Sequence, residues 1–531
     1  MGWCRHNRPS ILLKFMLAGG LLHVVEENDM TQHVGIIDLG SNTARMIVVQ
    51  YQPYYSFKLV EEVKENVRLA HNVGADNQLQ AEPMAMAIET LRMFSNFCRA
   101  LGVNEVVAVA TSAVRDAANQ ASFLAQVKEE TGLDLRVLSG DEEAYYSYLG
   151  VINTLGVSNG FMFDIGGGSV ELALVRGRGL AHTTSLPLGT VRLTEQILRS
   201  ETPSKAELKA LDRHLDEALA ELDWFRPQGS KLPLIGVGGT VRNLAKLEQR
   251  AQRYPLDIVH GYTMSLQRVD EWATRLSKLN RNEREQLDGL NNDRADVITA
   301  GVLLIRALMQ RCGADSLWIC GHGLRDGIFY EQFLRGSQPP LLGDVRQFSV
   351  ENLARIYGYN VVHVAKVREL SLALFDQLQS LHGYGAWERE LLEAATVVHD
   401  IGVAVNFYDH HKHGLYLILN SMLNGYTHRE MAMVALLTRH HRKGGVTDAG
   451  LGGVLAEGDL ERVGKLSALL RIAEYLERSK SQVVQSIVCK IEKNQVRVKV
   501  QAVGDASIEI WDANRKTNLF RKVYGVEMLI E

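Results

Sequence analysis

From Val34 to about residue 335, short apolar runs alternate with amphipathic stretches, the pattern of an α/β region. The first run, Val34 to Asp38, ends in an acid, and a second begins after Gly40, Ser41, Asn42 and Thr43. The pattern returns in "MFDIGGGSVELALV" (162–175), where Asp164, Gly166 and Ser169 take the places of Asp38, Gly40 and Thr43, 126 positions later. Each copy predicts a strand–turn–strand hairpin, so two related halves facing one cleft are expected. In "LIGVGGTVRNLAKL" (234–247) a strand runs into Gly236, Gly238 and Gly239, and a helix follows with Thr240 as the expected N-cap. "RGSQPPLLGD" (335–344) predicts a linker. Long helical patterns fill 346–480, and the tail "IVCKIEKNQVRVKVQAV" alternates as strands do.

A chain of 531 residues exceeds one hydrophobic core, so three to four domains are expected. Apolar residues at 46% and charged residues at 23% fit a soluble globular protein. The formal charge of −4 gives no general attraction to nucleic acid, and a polyanionic ligand would need basic side chains focused in one groove. Five cysteines, none in a C-x-x-C pair, fit a reducing cytoplasm rather than a disulfide scaffold. No apolar run reaches the length of a membrane span. "ILLKFMLAGGLLHVV" follows Arg5 and Arg8, but Lys14 breaks it, so residues 1–33 are expected to be an extension, with Met30 the start of the functional chain.

Glycines let backbone N–H groups approach an anion and form a concave nest, and Ser or Thr hydroxyls add donors. The duplicated turns therefore predict phosphate binding by Gly40, Ser41, Asn42 and Thr43, and by Gly166, Gly167, Gly168 and Ser169. Gly238, Gly239 and Thr240 offer a third anion site at a helix N-terminus. An aspartate beside phosphate would repel it, so Asp38 and Asp164 are expected to hold a divalent cation. Ordinary tight hairpins are the alternative for a single such turn, and the repetition argues against it.

Three such motifs in this order resemble the actin, sugar-kinase and heat-shock chaperone superfamily. Within it, "DLGSNTARM", "ATSAVRDAAN", "LSGDEEA", "DIGGGSVEL", "GVGGTVRNLA" and "GHGLRDGI" resemble the exopolyphosphatase and guanosine pentaphosphate phosphohydrolase family, densely from 34 to about 335. The resemblance implies that Glu143 orients and deprotonates the attacking water, and that Arg115 grips the chain end. It implies that Glu171 joins Asp164 and Asp38 around Mg²⁺ or Mn²⁺, and that Arg45 and Arg68 are basic positions of the site. The implied reaction is hydrolysis of the terminal phosphate of inorganic polyphosphate. Guanosine pentaphosphate is the second candidate, which would connect the chain to the stringent response. A nucleotide-dependent kinase or ATP-binding regulator is a distant third. A cytoplasmic homodimer without nucleic-acid or membrane partners is expected.

Nine of seventeen histidines fall between His363 and His441. His363, the His399–Asp400 pair and later histidines resemble the HD metal-phosphohydrolase layout, with Glu474 where an aspartate is usual. A second metal site at His363, His399, Asp400 and Glu474 stays open beside a scaffold reading. In the scaffold reading His410, Lys412, His413, Arg439, Arg442 and Lys443 form a basic wall for a phosphate chain. The expected architecture is α/β: two actin/sugar-kinase-like (ribonuclease H-like) domains around a phosphate cleft, 34–148 and 149–335. An all-α HD-type domain (346–480) and a small α+β tail (481–531) follow.

Overall fold

The computed structural model describes residues 31–70, 76–227, 229 and 231–531. The expectations for residues 1–29 and the Met30 start lie outside the described residues, whereas Gln32 and His33, assigned to the extension, already belong to the first strand. That strand, β1 (Gln32–Leu39), is followed by β2 (Thr43–Gln52), β3 (Ser56–Asn66), β4 (Glu105–Ala110) and β5 (Leu135–Val137). They form a sheet of order β3-β2-β1-β4-β5. β1 pairs antiparallel with β2 and parallel with β4. Val34, Ile36 and Ile37 are fully buried, because helices cover both faces of β1.

The second half repeats this plan. β6 (Gly160–Ile165), β7 (Val170–Arg176), β8 (Gly179–Leu186), β9 (Leu234–Val237), β10 (Thr263–Ser265) and β11 (Ser316–Ile319) form a sheet of order β10-β11-β9-β6-β7-β8. β6 pairs antiparallel with β7 and parallel with β9, as β1 does with β2 and β4; β10 is an added antiparallel edge. The duplication inferred from two hairpins therefore extends to the whole sheet, giving the two-domain actin-like architecture.

Helices Gly140–Ile152 and Leu324–Phe333 join the two halves. Tyr148, Leu149, Phe329 and Phe333 share one core with Val34 and Ile36 of the first sheet and Met162 and Val175 of the second. The helices approach at glycines: a Cβ on Gly150 would lie 2.3 Å from the Gly323 carbonyl oxygen, and one on Gly327 would meet the Tyr146 carbonyl. Divisions at 148 and 335 thus cut through a shared packing layer.

The segment 335–344 is anchored rather than free. The Asn153 side chain donates to the Pro340 carbonyl and accepts from the Leu342 N–H, and Arg178 donates to the Leu342 and Gly343 carbonyls. Beyond it, helices from Val345 to Leu476 build a further core that takes in Leu256 of the second half, while Val345 itself packs into the core shared by the two halves. The sheet of β12 (Val484–Ile491), β13 (Gln495–Ala502) and β14 (Glu527–Ile530) adds Val484, Ile487, Val496, Val498 and Ile530 to that core. The alternation read in the tail is therefore one buried face laid on the helices, without a core of its own. Among the described residues no helix is long and apolar enough to cross a membrane.

Candidate active site

The facing ends of β1, β6 and β9 open into a cavity of about 140 Å³. In the first hairpin the Gly40 N–H donates to the Thr43 carbonyl at 3.0 Å; in the second, the Gly166 N–H donates to the Ser169 carbonyl at 3.0 Å. The two turns close on one another. A Cβ on Gly167 would lie 3.2 Å from the Ser41 Cβ, and one on Gly168 would lie 3.3 Å from the Ser41 Oγ. Gly238, with φ of 105°, sits where a side chain would strike the Ile165 carbonyl at 2.7 Å and the Asp164 Oδ1 at 3.1 Å.

Asp38, Gly40, Ser41, Asn42, Thr43, Arg45, Gly166, Gly167, Gly238 and Gly239 line the cavity with Glu143 and Asp164. Other assigned residues lie elsewhere. Gly168 and Ser169 belong to the second turn but do not line the cavity, the latter being buried. Thr240 is not the N-cap; Gly238 is. The helix begins two residues earlier than its pattern suggested, at Gly239, so Thr240 falls in its first turn and packs against Gly301. Arg68 borders a neighbouring small cavity with Ser41 and Asn42.

Glu143 is aimed by its neighbours. Ser139 caps the helix Gly140–Ile152: its hydroxyl accepts from the Glu142 N–H at 3.2 Å, and the Glu142 carboxylate accepts from the Ser139 N–H at 2.8 Å. This capping box occupies the first glutamate and leaves the second free to face the cleft. Glu143 is buried and accepts from the Arg115 guanidinium at 2.9 Å. Arg115 also donates to the Leu138 carbonyl at 3.0 Å. The arginine expected to grip substrate therefore holds the expected base.

The acids are crowded. Register sets Asp164 opposite Glu171 across β6 and β7, and Asp38 opposite Arg45 across β1 and β2. Burial raises the Glu171 pKa to about 7, helped by Asp164, while Ser185 donates to its carboxylate at 2.8 Å. Burial and Glu171 push Glu143 well above the ordinary glutamate value, against the pull of Arg115. Asp38 and Asp164 are both raised by burial, and Asp164 adds to the shift at Asp38. Ser147 donates to Asp164 Oδ2 at 2.6 Å. Two half-buried carboxylates beside a nest of N–H groups form a hard-oxygen donor set that fits Mg²⁺.

Opposite the acids stand arginines to which the sequence reading gave no role. Arg242, Arg294 and Arg325 line the cavity with Arg45. Burial, then Arg242, Arg325 and Arg294, lower the Arg45 pKa to about 10, so four cations share a small volume. Arg242 donates to the Gly321 carbonyl at 2.9 Å, and Arg325 to Glu62 at 3.0 Å. Asp326 accepts from the Gly323 N–H at 2.9 Å and lies 2.8 Å from His322 Nδ1. Arg242 and Arg325 stand inside "GVGGTVRNLA" and "GHGLRDGI", so their signal was present. Arg294, in "NNDRADV", had none.

A family model of the Ppx/GppA phosphatase family matches residues 47–336, and that of Ppx/GppA phosphatase domain III matches 345–512. The chain belongs to the Ppx/GppA phosphatase family. The crystal structure of the Aquifex aeolicus Ppx/GppA family member is 28% identical with a TM-score of 0.51, covering 57% of this chain and 98% of that one. An exopolyphosphatase from Cytophaga hutchinsonii is similar in fold at 24% identity and a TM-score of 0.53, again over 57% of this chain and 98% of that one. The domain III match crosses residue 480, in keeping with the single core of helices and tail sheet.

Proposed function

We propose that this phosphatase is a Mg²⁺-dependent exopolyphosphatase that removes the terminal phosphate of inorganic polyphosphate. The observation that carries the reading is Glu143, a buried carboxylate of raised pKa aimed by a capping box at a nest of backbone N–H groups. A carboxylate made more basic by burial, against the pull of Arg115, suits removal of a proton from water. In this reading Glu143 takes that proton as the water oxygen bonds to the terminal phosphorus. The bond from phosphorus to the bridging oxygen then breaks, and the electron pair leaves on the shortened chain. The glycine N–H groups fix the terminal phosphate, and Arg45, Arg242, Arg294 and Arg325 meet the charge of the chain. Asp38 and Asp164 would hold Mg²⁺, which neutralises phosphate oxygens when bound.

A second cavity, of about 420 Å³, adjoins the first and shares Arg242, Gly321, Arg325 and Asp326 with it. Phe57, Phe348 and Tyr357 in its wall favour a nucleoside, and on that ground guanosine pentaphosphate is the second reading. Orthophosphate release from a defined-length polyphosphate without nucleotide, beside the same assay on guanosine pentaphosphate, separates them. A preference for polyphosphate supports the first reading. Release from the nucleotide alone overturns it in favour of the second.

A further inference from the structure

The helical region holds a second cluster of buried ligand-type side chains. Helix Val361–Gln377 supplies His363, the end of helix Ala386–Val398 supplies His399 and Asp400, and helix Asp459–Leu476 supplies Glu474. His410 and His441 come from the start of one helix and the end of another. Glu474 Oε2 lies 3.1 Å from both His363 Nε2 and His399 Nε2. Asp400 Oδ1 lies 3.3 Å from His410 Nε2, which is 3.2 Å from His441 Nε2. His410, placed in a solvent-facing basic wall by the scaffold reading, is turned inward.

Tautomers follow from the backbone. Nδ1 of His399, His410 and His441 lies 2.7, 3.0 and 2.6 Å from the carbonyls of Thr396, Phe407 and Thr438. A carbonyl only accepts, so each Nδ1 carries the hydrogen and each Nε2 turns a lone pair inward. Two lone pairs facing at 3.2 Å repel unless a positive charge lies between them. Moreover, His363 Nε2, His399 Nε2, Asp400 Oδ1 and Glu474 Oε2 are buried without a hydrogen-bond partner, although charged neighbours are close. Ligand atoms around one ion at about 2.1 Å stand roughly 3.0–3.4 Å from one another. The contacts of Glu474 with His363 and His399, and of His410 with Asp400 and His441, fall in that range, while Asp400 Oδ1 and His441 Nε2 are 4.0 Å apart.

We propose that these six residues form a two-cation site: His363, His399 and Glu474 hold one ion, Asp400, His410 and His441 hold the other, and the site accepts a phosphate-bearing ligand. Asp400 joins the triplets, since its Oδ2 lies 3.7 Å from His363 Nε2 and its Oδ1 3.7 Å from His399 Nε2. Imidazole-rich sets of this kind favour transition metals over Mg²⁺. The ligand class comes from the surroundings. A pocket lined by Arg442, Lys443, Arg478, Arg515 and Lys516 opens nearby, and Arg442 reaches within 3.5 Å of His410 Nδ1. Lys480 contacts Asp400 Oδ2 at 3.0 Å. Asp409 and Asp512 offset only part of that positive charge, so an anion is favoured there.

The test uses the full chain carrying Asp38→Asn and Asp164→Asn to silence the cleft, stripped with chelator and titrated with Co²⁺. The expected result is two equivalents bound, with visible absorption and paramagnetically shifted imidazole N–H signals from the three rings whose Nδ1 is held by carbonyls. Adding Glu474→Gln should remove one equivalent or weaken it at least about tenfold. Inorganic phosphate should shift the Co²⁺ spectrum, and should cease to do so when Arg442→Gln and Arg515→Gln are added. Less than one equivalent bound by the folded protein, with no shifted imidazole signals, overturns the site and leaves a cluster held together by protons. Uptake indifferent to Glu474→Gln overturns the assignment of ligands. A spectrum unmoved by phosphate overturns the ligand class.

Discussion

Glu143→Gln is expected to separate catalysis from stability, moving the two in opposite directions. The amide keeps the shape of the carboxylate and can still accept from Arg115 at the 2.9 Å contact, but it cannot take a proton from water. Loss of a general base typically costs about 10²–10⁴-fold in rate, or roughly 2.7–5.5 kcal/mol of barrier. Stability has the other sign. Burial and Glu171 raise the folded pKa of Glu143 above its unfolded value, so the proton binds more tightly in the folded state. The stabilisation tied to that proton is complete below the unfolded pKa and is lost as pH rises through the folded one. Each tenfold weakening of acidity corresponds to about 1.4 kcal/mol. Above the folded pKa the ionised parent bears this cost and the amide does not, so the variant should melt at a higher temperature at pH 8. The gain should vanish as the parent takes up its proton at lower pH. Orthophosphate release and thermal melts from pH 5 to 8.5 test both halves. A variant turning over at near the parent rate would falsify the assignment of Glu143 as the base. A variant less stable than the parent at pH 8 would show that the Arg115 pair outweighs burial.

Asp164→Asn should lower turnover by at least about tenfold and raise the Mg²⁺ concentration for half-maximal rate, measured by metal titration; an unchanged midpoint would remove Asp164 from the cation site. Glu171, with a pKa raised to about 7, is one of the charges raising Glu143. Glu171→Gln should therefore shift the acid limb of the pH–rate profile to lower pH, and an unmoved limb would show that the two acids are not coupled. Gly150→Ala sets a methyl group 2.3 Å from the Gly323 carbonyl and should cost about 3 kcal/mol, read as a fall in denaturant midpoint.

The cleft was legible because its chemistry is local. A strand ending in Asp38 or Asp164, a glycine turn and a returning strand are contiguous in sequence, and the fold keeps them so. Glu143 was singled out by resemblance, and the reason that it, rather than Glu142, lines the cavity lies four residues away in the Ser139 cap. Arg294 was hidden because its place depends on a helix–strand arrangement that no local pattern encodes; a Cβ on Gly239 would touch its guanidinium at 2.8 Å. Arg115 was read as a substrate contact because an arginine beside a phosphate turn suits both roles, and only the fold shows it on Glu143. The tail strands showed their alternation but not their partner, since a buried face looks the same whatever covers it.

The duplicated hairpins share geometry but not charge. Where the first sets Arg45 across from Asp38, the second sets Glu171 across from Asp164, so a near-symmetric scaffold carries an antisymmetric field. An anion entering this cleft has a head and a tail imposed on it. Its bulk charge is drawn toward the arginines, and its end faces Glu143 and Asp164, where water or a cation, but not a second anion, rests without penalty. A polymer with two identical ends could thus be read in one direction by polarity alone, without any chemical marker on the end that is cut.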